Sequence, residues 1–184
     1  MKLVREHINE VFTDDSDPIR DMGIGMIHKI EKWLEDARLQ PHEYTITENG
    51  EIDMKGDLDL GGQYKLFLPN GYFPDYIQFN KVLGYFNVGS CNLNSLRGSP
   101  REVGFYVSVG NNHFTSFEGG PEQVFTEESG INGNFGYDAE YNHIESLEGL
   151  PKEIDGNLWI RKGTFTEKKI KNVCAIKGRL IFTS

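Results

Sequence analysis

The chain has 184 residues and carries 28 acidic against 19 basic side chains, so its formal net charge is −9. Hydrophobic residues make up 38% of it and aromatic residues 12%, which excludes general disorder, while 21 glycines without a three-residue period exclude collagen. Two cysteines are too few for a disulfide-stapled secreted scaffold. With no apolar run suited to a signal peptide or a membrane span, we expect a soluble, strand-rich protein of a reducing cytoplasm.

The first third of the chain predicts two helices. Residues 2–11 have the apolar spacing of a short amphipathic helix. The Asp-Pro pair at 17–18 is predicted to start a new helical segment, with the aspartate as N-cap and the proline in the first turn. Gly23 and Gly25 are expected to interrupt that segment, and a second helix is predicted from about Ile24 to Ala37.

A β-hairpin is predicted after these helices. Asn49-Gly50 lies between two short runs in which apolar and polar residues alternate, and this dipeptide is a strong hairpin signal. The apolar positions of the two runs are Tyr44, Ile46, Ile52 and Met54.

From Gly56 onward the chain repeats one motif. Three segments read apolar-x-Ser-apolar-x-Gly-x-Pro, and they begin at Leu93, Phe114 and Ile144. A β-branched residue follows three positions after each proline, at Val103, Val124 and Ile154. Three features that recur at three constant offsets indicate a true repeat.

Each motif is preceded by apolar residues that predict a strand. These pairs are Phe86 with Val88, Val107 with Val109, and Tyr137 with Ala139. Cys91, Asn112 and Asn142 occupy the position two residues before each motif, which completes the strand pattern of a leucine-rich repeat. Further strands are predicted at Leu58 and Leu60, at Leu158 and Ile160, and at Leu180 and Phe182. In the copy that contains Leu158 and Ile160, Gly163 replaces the Asn or Cys of the other copies.

The fold class follows from the burial that such repeats require. Each repeat has one strand with one buried side, so stacked repeats form a parallel sheet over a continuous core. The return segments are too short for full helices and are expected to be extended or 3₁₀. We predict an α/β fold, a leucine-rich-repeat-like solenoid over 56–184, capped by the two helices and β-hairpin of residues 1–55 as one structural unit.

The chain resembles degenerate leucine-rich-repeat proteins of tailed bacteriophages. The resemblance rests on the leader at 13–25, on the segment at 76–82, and on the copies of Ser-apolar-x-Gly-x-Pro. It implies a phage protein that acts in the bacterial cytoplasm, and it implies no defined activity.

Residues that alternate with the buried strand positions are expected on the outer face of the sheet. They are Asp57, Asp59, Tyr85, Asn87, Tyr106, Ser108, Asp138, Glu140, Asn157, Trp159, Arg161, Arg179 and Ile181. Three aromatics are expected to be exposed on adjacent strands, and Tyr, Trp and Arg are enriched in interface hot spots. The predicted partner-binding residues are Tyr85, Asn87, Tyr106, Asp138, Trp159 and Arg161. The alternative is that these aromatics favour strands and pack on each other.

Charge is distributed unevenly along the chain. Residues 152–184 hold eight basic and three acidic side chains, a net +5, so the remainder carries −14. The basic set could contact nucleic acid or an acidic protein, or form a solvated end that resists stacking. Its members are Arg161, Lys162, Lys168, Lys169, Lys171, Lys177 and Arg179. The acidic remainder could imitate nucleic acid and occupy a basic groove on a host enzyme.

The sequence contains no phosphate loop, dinucleotide motif, nucleophile elbow or zinc knuckle, so we predict no enzyme, cofactor or metal site. His113 and His143 occupy matching repeat positions but lack a third ligand, and turn residues are the favoured interpretation. The predicted role is binding and steric blocking of a bacterial host protein, such as a defence effector. A virion structural or assembly factor, a nucleic-acid binder and an enzyme with an unrecognised site stay open. Homo-oligomerisation also stays open, as does a partner-contact role for the insertion at 125–132.

Overall fold

A computed structural model describes residues 18–124, 136–163 and 165–184, with the backbone alone at 18–22 and 136–138. The predicted helix over 2–11 and the insertion at 125–132 lie outside the described residues. Within them the fold is mixed α/β, with mostly parallel strands and few helices. None of the described helices is long and apolar enough to cross a membrane.

The first described helix, α1, spans Pro18–Asp36. It begins at the predicted proline, whose missing N–H costs nothing in a first turn, and the predicted N-cap at residue 17 lies outside the described residues. The predicted interruption at Gly23 and Gly25 is wrong, since the helix passes both. Each glycine costs about 1 kcal/mol in a helix interior, which the burial of one apolar face can offset. The buried members of that face are Ile27, Ile30 and Leu34, and Ala37, directly after the helix, is buried too.

The predicted hairpin is confirmed. Strand β1 (Tyr44–Ile46) pairs antiparallel with β2 (Ile52–Met54). The turn is closed by Thr47 N–H, which donates to the Glu51 carbonyl at 2.8 Å, and by Gly50, whose φ of +77° suits a residue without a Cβ.

Helix α1 packs on an aromatic cluster. The Trp33 ring lies 5.9 to 6.4 Å, centroid to centroid, from the rings of Phe67, Phe73 and Phe79. Phe67 ends a short 3₁₀ turn at Tyr64–Phe67, and all four rings are buried. This cluster joins the helix to the same core that the strands enclose.

The strands after the hairpin alternate between two sheets. The odd sheet contains β3 (Leu58–Asp59), β5 (Phe86–Asn87), β7 (Tyr106–Ser108), β9 (Gly136–Ala139), β11 (Asn157–Arg161) and β13 (Leu180–Thr183). The even sheet contains the hairpin, β4 (Phe79–Val82), β6 (Glu102–Val103), β8 (Gln123–Val124), β10 (Glu153–Ile154) and β12 (Ala175–Ile176). Neighbouring strands are parallel in both sheets, except within the hairpin.

The predicted alignment of the repeats is confirmed in the odd sheet. Equivalent apolar positions pair directly across its six strands, in the order Leu58, Phe86, Val107, Tyr137, Leu158 and Leu180. Apolar side chains from both sheets form one buried core. The repeat offsets therefore set the register of this sheet.

The prediction of one strand per repeat is wrong, because the return segments form the even sheet. The β-branched residue three positions after each proline lies in that sheet, where Val103 pairs with Val124 and Val124 with Ile154. Short extended segments stacked in parallel give each other backbone hydrogen-bond partners, so two residues per repeat suffice for a strand. The return segment after β11 contains helix α2 (Glu167–Lys171), capped by Thr166, ahead of its even-sheet strand β12.

Candidate protein-binding face

Buried side chains at the Asn/Cys position hold successive repeats together. The Asn112 carbonyl oxygen accepts from the backbone N–H of Cys91 at 3.1 Å and of Leu93 at 2.9 Å. Its amide nitrogen donates to Val109 O at 2.9 Å, and the amide of Asn142 reaches the same carbonyl at 3.0 Å. These bonds satisfy backbone groups of neighbouring repeats next to β5, β7 and β9.

The predicted outer face is accessible wherever its side chains are described. One row of paired residues crosses the odd sheet in the order Asp59, Asn87, Ser108, Asp138, Trp159 and Ile181. The described side chains in this row are half-buried or exposed, whereas their sequence neighbours Leu58, Phe86 and Leu158 are fully buried. Asp138 is placed by its backbone between Ser108 and Trp159, and its side chain is outside the described part of the chain.

Tyr106 and Trp159 form a pair in the middle of this face. Their ring centroids lie 6.1 Å apart with an interplanar angle of 79°, which is an edge-to-face contact. The expectation that the three aromatics lie on adjacent strands is wrong for Trp159, because β9 separates β7 from β11. The β9 residue paired with Tyr106 is Gly136, which has no side chain beside the Tyr106 ring, and the β9 residue paired with Trp159 is Asp138. Both rings are half-buried, so they pack on each other and still contribute to the surface.

The β3 end of the face is acidic and ordered by hydrogen bonds. The Tyr85 hydroxyl donates to Asp59 Oδ2 at 3.2 Å, and the Asn87 amide donates to Asp59 Oδ1 at 2.8 Å. Asp57 Oδ1 accepts from the backbone N–H of Tyr85 at 3.0 Å. Burial, followed by the charge and hydrogen bond of Asp59, raises the pKa of Tyr85 and keeps its phenol a donor.

The opposite end of the face is basic. Arg161 and Arg179 are exposed, and neither forms an ion pair with any side chain that the structure describes. The face therefore runs from carboxylates at β3, through an aromatic pair, to guanidinium groups at β11 and β13. A surface of this kind offers complementary sites for charged and apolar groups of another protein.

Several of the candidate basic residues are already engaged within the chain. Lys177 forms ion pairs with Glu153 at 2.8 Å and with Asp155 at 2.5 Å, and both carboxylates raise its pKa. Lys171 pairs with Glu167 at 2.5 Å. The Lys169 ammonium lies 4.7 Å from the centroid of the Phe165 ring. The ion pairs of Lys171 and Lys177 reduce the charge that this end can offer to a nucleic acid.

The thiols and histidines do not assemble into a reactive cluster in the described ranges. Burial raises the pKa of Cys91 and of Cys174 to about 11, so both thiols are protonated at neutral pH. His113 Nε2 lies 2.8 Å from Asn92 Oδ1, in a turn. Among residues 18–124, 136–163 and 165–184, no three His, Cys, Asp or Glu side chains are grouped to hold a metal ion.

The chain matches no protein-family model, no curated protein and no solved structure.

A second group of exposed large side chains was not predicted from the sequence. Tyr64, Leu68 and Tyr72 are 48%, 57% and 47% exposed, and they lie in the connection between β3 and β4. Their spacing of four residues around Pro69 is visible in the sequence, but this connection lacks the repeat motif that predicts the strands. These residues provide matched controls for tests of the aromatic pair.

Proposed function

We propose that the chain is a protein-binding protein, a leucine-rich-repeat-like solenoid with residues 1–55 as its N-terminal cap. The outer face of the odd sheet contacts the partner. The proposed contact residues are Tyr85, Asn87, Tyr106, Asp138, Trp159 and Arg161. The observation that carries the proposal is the half-exposed Tyr106–Trp159 pair at the centre of a face with opposite charges at its two ends.

The aromatic pair suits a contact role for energetic reasons. Each ring holds the other in place, so binding costs little additional side-chain entropy. Tyr and Trp offer large amphipathic surfaces and are enriched among the residues that contribute most to interface affinity. The strands beneath them are held in register by parallel pairing and by the buried Asn112 amide, so the surface is formed before the partner arrives.

The proposed partner is a bacterial host protein, such as a defence effector, whose active surface the chain covers sterically in the bacterial cytoplasm. This part of the proposal rests on the resemblance to repeat proteins of tailed phages. A virion structural or assembly role is the alternative, and mass spectrometry of purified virions separates the two. Recovery of the chain as a stoichiometric virion component would overturn the inhibitor proposal.

The test compares Tyr106→Ala/Trp159→Ala with a matched control, Tyr64→Ala/Tyr72→Ala, which removes two exposed aromatics outside the odd sheet. The tagged full-length proteins capture partners from infected bacterial cells, and affinity is then measured with the purified partner. Loss of two hot-spot side chains should weaken binding by roughly a hundredfold or more. The control variant should bind like the unmodified chain.

Circular dichroism of both variants accompanies the binding assay. If the Tyr106/Trp159 variant is folded and still captures the same partner, the face is not the binding surface. If that variant unfolds, the two rings belong to the core and the assignment of the outer face is wrong.

A further inference from the structure

The odd sheet has an open edge at β13. Among the described residues, β11 is the strand that pairs with β13, and no strand lies on its other side. Leu158 N–H donates to Arg179 O at 2.9 Å and Lys162 N–H donates to Thr183 O at 2.8 Å. Because successive peptide groups in a strand point in opposite directions, the N–H and C=O groups of Leu180 and Phe182 point away from β11.

The apolar core is also incompletely covered at this edge. Phe182 pairs with Ile160, which pairs with Ala139, and these two neighbours are 1% and 0% exposed. Phe182 occupies the same row and is 37% exposed. One further strand beside β13 would cover this ring in the way that β11 covers Ala139.

Unpaired cations lie at both ends of β13. Arg179 directly precedes the strand, and Lys162 is hydrogen-bonded through its backbone to Thr183 at the other end. Both side chains are exposed, and neither has an ion-pair partner in the described part of the chain. Lys171 and Lys177 of the same basic segment are each neutralised by carboxylates. Lys162 and Arg179 therefore keep their charge available to a partner beside the open edge.

We propose that the β13 edge binds an acidic extended segment of another protein, which adds to the odd sheet as a strand. A bound segment in which apolar and acidic residues alternate suits this edge, because its apolar residues would cover Phe182 and its carboxylates would meet Arg179 on the outer face. A second copy of the chain fits less well, since it would bring two segments of net charge +5 together. This goes beyond the proposed function, because it concerns the edge of the sheet and not its face.

The test uses the full chain and a fluorescent peptide of alternating Glu and Val, about seven residues long. Binding is measured by fluorescence polarisation, and hydrogen exchange reports on individual amides. We expect saturable binding, slower exchange of the Leu180 and Phe182 amides, and no binding of peptides with Lys in place of Glu or with N-methylated valines. Lys162→Glu/Arg179→Glu should weaken binding by roughly tenfold. Lys168→Glu, which alters an exposed lysine on α2, should not.

Phe182→Pro is a backbone test, because it removes an N–H that faces outward and leaves the bonds to β11 in place. This variant should lose peptide binding, and the N-methylated peptide gives the same test without altering the protein. Equal binding of the lysine peptide, binding without protection of Leu180 and Phe182, or absence of binding would each overturn the proposal. Concentration-dependent dimerisation that protects the same two amides would also overturn it, because the occupant would then be a second copy.

Discussion

Replacing Asn112 by alanine should destabilise the chain far more than the equivalent change at Asn142. The Asn112 oxygen is the hydrogen-bond acceptor for the N–H groups of Cys91 and Leu93, both of which are fully buried. Each buried N–H left without a partner costs about 1–3 kcal/mol, so Asn112→Ala should cost about 2–6 kcal/mol. Asn142 is equally buried, but its oxygen has no hydrogen-bond partner among the described residues. Asn142→Ala removes only the amide N–H donors, and a backbone carbonyl that loses a donor is less costly than an N–H that loses its acceptor. We therefore expect Asn142→Ala to lower the free energy of unfolding by about 1–2 kcal/mol.

Urea unfolding followed by tryptophan fluorescence measures both costs. The two substitutions remove the same atoms from equally buried sites, so the cavity contributions largely cancel in the comparison. The slope of unfolding free energy against urea should stay unchanged, which shows that the variants alter stability and not the denatured state. The hydrogen-bond argument is refuted if Asn112→Ala costs less than about 1 kcal/mol or no more than Asn142→Ala.

Four further predictions concern the thiols, a turn glycine, a helix glycine and alkaline pH. Cys91 and Cys174, whose pKa is raised to about 11 by burial, should resist a disulfide-exchange reagent at pH 8 until urea unfolds the chain. Gly119→Ala should cost about 2–3 kcal/mol in urea unfolding, because φ is +79° and the added Cβ would lie 2.7 Å from Arg97 backbone atoms. Gly23→Ala, in open space on α1, should stabilise by about 0.5–1 kcal/mol. Burial and Asp59 raise the pKa of Tyr85, so the folded state holds the phenolic proton of Tyr85 more tightly than the unfolded state does, and stability falls as pH rises above about 10. Tyr85→Phe should therefore show a smaller fall in melting temperature between pH 9 and pH 11 than the unmodified chain. An equal fall would contradict the assignment of this pH dependence to Tyr85.

Periodicity in the sequence was sufficient to predict the odd sheet. Phe86, Val107 and Tyr137, which the repeat aligns in the sequence, pair with one another across neighbouring strands. The register is strict because a strand with one buried side cannot slip by one residue without exposing its apolar side chains. The role of Asn112 was equally predictable, since a polar residue at a buried position must satisfy the backbone around it. The hairpin was predictable because Asn49-Gly50 acts locally.

The even sheet and the uninterrupted helix were not predictable in the same way. A strand of two residues, such as Glu102–Val103, has no periodicity of its own and exists because a neighbouring segment lies parallel to it. Gly23 and Gly25 weaken a helix locally, and burial of one face over the length of Pro18–Asp36 overrides that preference.

The sequence alone determined the charge asymmetry, the repeat register and the identity of the outer-face residues, because each depends on residue type and spacing. Only the tertiary structure decided how those residues meet. It placed Trp159 of β11 against Tyr106 of β7 across β9, where Gly136 is the residue paired with Tyr106. It also joined Lys177 to Glu153 and Asp155 while leaving Arg179 free of ion pairs in the described chain. Such contacts depend on which strands become neighbours, and that is decided when the two sheets close over a common core.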